Sequence, residues 1–159
     1  MRDEALCLMA IDPGLTGAVA FYFPLAPTRV SVFDMPTVGN EVETASLARR
    51  IAHMAPSMAV VELVGPMPRD GAVQAFRFGA AYAAAKTTVA MSGVPMHLIT
   101  PLMWKRHYRL QGGVDGKEQA RALALRLFPN SAEHFARKKD HGRAEAALLA
   151  KFAAETING

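Results

Sequence analysis

One cysteine, Cys7, stands among 159 residues. That excludes an intramolecular disulfide and a cysteine metal cluster, and it makes a reducing cytoplasm the expected compartment. Long apolar runs are missing as well. The richest, Gly79 to Met91, is broken by Lys86, Thr87 and Thr88, so no membrane-spanning helix is expected. Met1-Arg2-Asp3-Glu4 carries both signs of charge and does not read as a secretory signal. No repeat, low-complexity tract or linker divides the sequence, and 51% of it is hydrophobic. One folded domain over 1–159 is the expectation, and disorder is excluded.

What is present in excess is positive charge, a net +4, gathered towards the last third of the chain. Lys105, Arg106, Arg109, Lys117, Arg121, Arg137, Lys138 and Lys139 are candidates for phosphate contacts. Such contacts fix register and make binding salt-dependent without reading sequence. Lys117 stands out, because Gly112-Gly113-Val114-Asp115-Gly116 presents it at the start of a helix. A solvated surface accounts for any one of these residues alone. A basic second half beside a carboxylate-bearing first half suits a polyanion such as nucleic acid.

Hydrophobic spacing gives the order of elements. Two β-branched, apolar runs between about Ala5 and Phe23 flank Asp12-Pro13-Gly14 and predict a strand hairpin. Arg29 to Phe33 alternates as a third strand, which makes an antiparallel meander. A helix is predicted over 43–54, a buried strand over 58–64, a Gly/Pro loop over 65–71 and a long alanine-rich helix over 72–92. Met96 to Thr100 reads as a fifth strand, followed by a short helical turn from Pro101 through Trp104 and His107. Asp115 reads as the cap of a helix over 117–128, and the last helix runs from about His141 to Thr156. The fold class is therefore α/β, with three antiparallel strands, then two parallel ones reached by helical crossovers, and helices on the faces. Trp104 and the methionines read as packing residues. His53, His97, His107 and His134 lack a common ligand spacing and read as structural or surface residues.

Acids occupy conspicuous places in this order. Asp12 ends the first strand, and Glu62 interrupts the buried run Met58-Ala59-Val60-Val61…Leu63-Val64 near its end. If those strands are parallel neighbours, both side chains leave the sheet at one edge. Asp140-His141-Gly142-Arg143-Ala144-Glu145 opens the last helix, with His141 and Glu145 four apart on one face. Asp140 joins Glu145 only from a cap position. Each acid has an ordinary alternative: a turn residue for Asp12, an arginine partner for Glu62, a cap for Asp140 and a first-turn acid for Glu145. Carboxylates forced together need a cation. Mg²⁺, or Mn²⁺ in its place, accepts all-oxygen ligands and retains water. Two such ions about 4 Å apart activate water and stabilise the leaving oxygen in phosphodiester cleavage.

Ile11-Asp12-Pro13-Gly14-Leu15-Thr16-Gly17, Val60-Val61-Glu62 and Asp140-His141-Gly142-Arg143-Ala144-Glu145-Ala146 together resemble the RuvC-type Holliday-junction resolvases, which have the ribonuclease H-like fold. The similarity extends over Phe76 to Gly79, Pro101…Trp104-Lys105 and Lys117. It implies a mixed five-stranded sheet and a homodimeric, Mg²⁺-dependent endonuclease that nicks two strands of a four-way DNA junction symmetrically. Asp12, Glu62 and Glu145 match the family's acids; the remaining position falls to Asp140 or to His141, with Asp140 favoured. The metal set implied is Asp12, Glu62, Asp140 and Glu145. Many family members carry an aromatic wedge in the loop after the second acid, where this chain has Met67 and Pro68, with Phe76 and Phe78 further on. The helix through Gly79, Ala80, Ala83 and Ala84 resembles the family's dimer element. Another structure-selective or RNA/DNA-hybrid nuclease is the nearest alternative. Asp12-Pro13-Gly14-Leu15-Thr16 also matches the first phosphate loop of actin-like ATPases, but their second loop is missing here. A non-catalytic DNA-binding module leaves the retained acids without a role.

Overall fold

The computed structural model describes residues 6–157. β1 (Leu8–Asp12), β2 (Ala18–Tyr22) and β3 (Val30–Asp34) form the antiparallel meander. β4 (Thr37–Val38) and β5 (Glu41–Val42) pair as a small separate hairpin between β3 and the first helix. α1 (Thr44–Met54) then leads to β6 (Met58–Glu62), and α2 (Ala72–Met91) leads to β7 (Met96–Ile99). α3 (Pro101–His107), α4 (Gly113–Leu127), two 3-10 segments over Pro129–Phe135 and Lys138–Asp140, and α5 (His141–Thr156) complete the chain. The five-stranded sheet has the order β3-β2-β1-β6-β7, with β6 parallel to both β1 and β7. The expected sheet of three antiparallel and two parallel strands is what forms.

Alternation along the strands sorts the core into two layers, because successive side chains leave opposite faces. Leu8, Ala10, Met58 and Val60 join Trp104, Phe128, Phe135 and the buried face of α5. Met9, Ile11, Ala59 and Val61 join Leu47 and Ile51 of α1 and Ala81, Ala85 and Val89 of α2. Both faces of the central strands are covered, which is why β1 and β6 read as nearly unbroken apolar runs. The α5 layer is built from small groups: Ala10, Ala18 and Ala20 of the sheet share a cluster with Ala144, Ala146, Ala147 and Ala150 of the helix. Leu148, Leu149 and Phe152 supply the bulk, each worth roughly 2 kcal/mol on burial.

Two turns fix the chain around the first acid. Gly14 takes φ +109°, and the Gly17 amide donates to its carbonyl at 3.1 Å. A Cβ at Gly17 would stand 1.9 Å from the Asp12 carbonyl oxygen, so only glycine closes the turn. Further on, the amide of Met103 donates to the Thr100 hydroxyl and Pro101 occupies the first turn of α3, which sets Trp104 into the core. One helix start departs from expectation. α4 opens at Gly113, not after Asp115, and Asp115 sits in its first turn without capping it.

Candidate active site

The pairing of β1 with β6 runs from Leu8↔Met58 to Ile11↔Val61, which carries Asp12 and Glu62 to the next step of the same ladder. Asp12 is in phase with Leu8 and Ala10, and Glu62 with Met58 and Val60. Both carboxylates therefore leave the sheet on the face that α5 covers. Glu145 reaches the same place from the second turn of α5. Each of these acids feels the site. Burial pushes Asp12 well above the usual carboxylate range, and the charges of Glu145 and Glu62 push it further, against Lys105 and Lys117. Burial also raises Glu62, with Glu145 adding to it and the Trp104 hydrogen bond and Lys105 opposing. Glu145 is raised by burial against the same two lysines.

Trp104 is fully buried, and its Nε1 donates to Oε2 of Glu62 at 2.6 Å across 42 residues of sequence. The tryptophan is thus more than the packing residue it resembles in the sequence. α5 meets the first turn closely. A Cβ added at Gly142 would lie 3.3 Å from Oδ2 of Asp12 and 3.2 Å from the Thr16 carbonyl oxygen.

Asp140 does not join the three acids. It is 2% exposed, but its carboxylate accepts from the Arg137 amide at 2.8 Å and from the Arg137 guanidinium at 2.9 and 3.1 Å, with Arg143 at 3.8 Å. Burial raises its pKa, and the Arg137 bonds outweigh that and bring it below the ordinary value. An acid paired this way is a clasp at the base of α5, turned to the arginines and away from the three acids it was expected to join. Arg143 pairs in turn with Asp34 of β3 at 2.8 and 2.9 Å. His141, the other candidate, is half-buried; burial and Lys117 hold its imidazole below the ordinary range, towards the neutral form.

The basic residues divide by what they touch. Lys105 lies beside Trp104, its ammonium 5.5 Å from the indole, and with Lys117 it faces the acids. Lys117, Lys138, Lys139 and His141 line a cavity of about 760 Å³ next to that edge. Arg106 and Arg109 are exposed at the end of α3. Arg121 departs from expectation: its guanidinium donates to the carbonyls of Phe135 and Ala136 at 3.0 and 3.2 Å and pairs with Glu118. It ties α4 to the 3-10 segment and has little left for a phosphate.

No family model matches the chain. The chloroplastic Holliday junction resolvase MOC1 of Chlamydomonas reinhardtii is 31% identical over 153 residues, covering 79% of this chain and 17% of the algal protein. The chain thus spans about a sixth of that relative's length. Thermus thermophilus RuvC in complex with a Holliday junction substrate superposes with a TM-score of 0.68 at 19% identity, over 97% of this chain and 98% of that one. A second Thermus thermophilus RuvC structure gives 0.62 at 19% identity, over 96% and 97%.

The chain has the RuvC fold.

The resemblance to RuvC-type resolvases, first met in three short motifs, holds in both sequence and fold. In this RuvC fold the donor set suits a hard divalent cation. Three carboxylates, raised by burial and by one another, are acceptors that gain from a positive charge. Mg²⁺ keeps several waters and takes one or two carboxylates together with substrate phosphate oxygens, so it needs no closed cage, and among the described residues none is formed. The residues present fit the ion. The sequence missed Trp104 as a partner of Glu62; its adjacency to Lys105, in a stretch already singled out, was the available signal.

Proposed function

We propose that this RuvC-fold protein is a Mg²⁺-dependent endonuclease that resolves four-way DNA junctions by paired, symmetric nicks as a homodimer. The observation that carries the reading is that Asp12, Glu62 and Glu145, from two parallel strand ends and one helix, share one sheet edge and feel one another's charge, beside Lys105 and Lys117. Asp12, Glu62 and Glu145 would hold two Mg²⁺ ions, or Mn²⁺ in their place, which would supply activation of a water and stabilisation of the leaving oxygen of the phosphodiester. Lys105 and Lys117 meet the phosphate at the same edge. Lys138 and Lys139, with Arg106 and Arg109, follow the backbone on either side, where contacts fix register without reading bases. His141, neutral and at the rim of the basic cavity, orients water or completes the ligand set in the place first given to Asp140.

Symmetric nicking needs two active sites. An apolar stripe on α2 supports a second copy: Val73, Phe76, Ala80, Ala83 and Met91 recur at helical spacing and are exposed. A 20-residue helix makes that stripe roughly 30 Å long. Met67, 67% exposed in the loop that follows Glu62, is the apolar group available to wedge into unstacked DNA.

The test is cleavage of a synthetic four-way junction in Mg²⁺, beside duplex, flap and RNA/DNA-hybrid substrates. Asp12→Asn abolishes cleavage and leaves junction binding largely intact, because the basic surface is untouched. Undiminished cleavage by that variant sinks the mechanism. Equal cleavage of all substrates reassigns the protein to a general nuclease of the same fold.

A further inference from the structure

Glu62 is 7% exposed and ends a buried strand, so its orientation depends on what its oxygens can bond. The indole N–H of Trp104 donates to Oε2 at 2.6 Å, the length of a strong, charge-assisted bond. Trp104 itself is clamped: it lies one turn into α3, behind the Thr100 cap, and is packed in the cluster that contains Phe128, Phe135 and α5. An indole donates only from Nε1 and has no acceptor, so this bond has one sense. It holds Oε2 and leaves Oε1 as the oxygen without that partner.

We propose that Trp104 is a positioning residue for Glu62, its indole N–H holding Oε2 so that Oε1 is presented to the metal site shared with Asp12 and Glu145. The proposal rests on the reading of the three acids as that site. Partners that orient a metal-ligating carboxylate commonly govern metal affinity by 10- to 100-fold. The consequence is a defect in metal binding and not in DNA binding.

Trp104 is the only tryptophan, so biosynthetic replacement of tryptophan changes this position alone. β-(3-benzothienyl)alanine keeps the shape of the side chain and puts sulfur in place of the N–H. Mn²⁺ affinity of the DNA-free protein, read by calorimetry, falls about tenfold in the substituted protein and in Trp104→Phe. The Mn²⁺ concentration for half-maximal junction cleavage rises in step, the rate at saturating metal recovers, and junction binding without metal is unchanged. Phe128→Leu, an equal disturbance to the same core with no atom on Glu62, leaves Mn²⁺ affinity as it was. Unaltered affinity in the benzothienyl protein overturns the proposal, even where Trp104→Phe is weakened, since packing is then the cause. Asp12→Asn and Glu62→Gln separate the two ideas. If both bind Mn²⁺ as the unaltered protein does, the acid site itself is misread. If both lose the ion and the benzothienyl protein does not, only the role of Trp104 fails.

Discussion

Gly142 and Asp12 stand so close that a single methyl group on the glycine would lie 3.3 Å from the aspartate Oδ2. The start of α5 is thereby pressed against the carboxylate that ends β1. Gly142→Ala forces a shift of a few tenths of an ångström at that contact. The expected result is junction cleavage lowered by about tenfold, since small misplacements of reacting groups are costly. Stability, read by urea unfolding, changes by no more than about 1 kcal/mol, because alanine's gain in helix propensity offsets the crowding. Full activity would show that the site tolerates the shift.

The three acids make the metal-free protein less stable than its fold allows. Asp12, Glu62 and Glu145 are raised above their unfolded values, so their contribution to stability is fully present below those values and is lost as pH rises through the folded ones. Without divalent ions, thermal stability therefore increases on mild acidification from neutral pH. Asp12→Asn melts higher than the unaltered protein at pH 7 in a chelator, and Mg²⁺ raises the melting temperature of the unaltered protein more than that of the variant. Calorimetry across pH 5 to 8 checks both outcomes. Asp140 has the opposite sign: its folded value is lowered, so its contribution is present above the unfolded value and is lost as pH falls through the folded one.

Lys117 and Arg121 share a helix and a cavity wall but differ in what they touch. Lys117→Ala weakens junction binding for all sequences alike and reduces the slope of log affinity against log salt by about one. Arg121→Ala leaves that slope unchanged and lowers the melting temperature, because it releases the carbonyls of Phe135 and Ala136. Binding titrations over a salt series separate the two.

The stripe on α2 has a direct test. Ala80→Glu places a charge at its centre without touching Asp12, Glu62 or Glu145. Sedimentation of the unaltered protein gives a dimer and that of the variant a monomer. With two copies no longer held together, single nicks in a supercoiled cruciform replace the paired ones. A monomeric unaltered protein would remove α2 as the dimer face.

The sequence was informative where one residue type at one spacing leaves a single geometry. Two apolar runs each end in an acid, with a meander and a helix between them; the expectation that both acids share an edge if the strands are parallel neighbours is met by β1 and β6. It was uninformative where the partner is distant. Nothing near Glu62 announces an indole 42 residues away, and nothing in Arg137-Lys138-Lys139-Asp140 tells which way the aspartate turns. Asp140 faces two arginines, and backbone and guanidinium donors on one side decide its direction. β4 and β5, two residues each, are too short to carry a period.

The alanines between α5 and the sheet have a consequence for how this chemistry is kept over time. Beside the Arg143–Asp34 pair, the gap between Glu145 and the two strand acids is set by the thickness of a layer of methyl groups, Ala10, Ala18 and Ala20 with Ala144 and Ala147. A valine at any of these positions would act as a shim, lifting the helix and carrying one carboxylate away from the others. The spacing of the three acids is therefore stored as volume in residues that have no chemistry of their own.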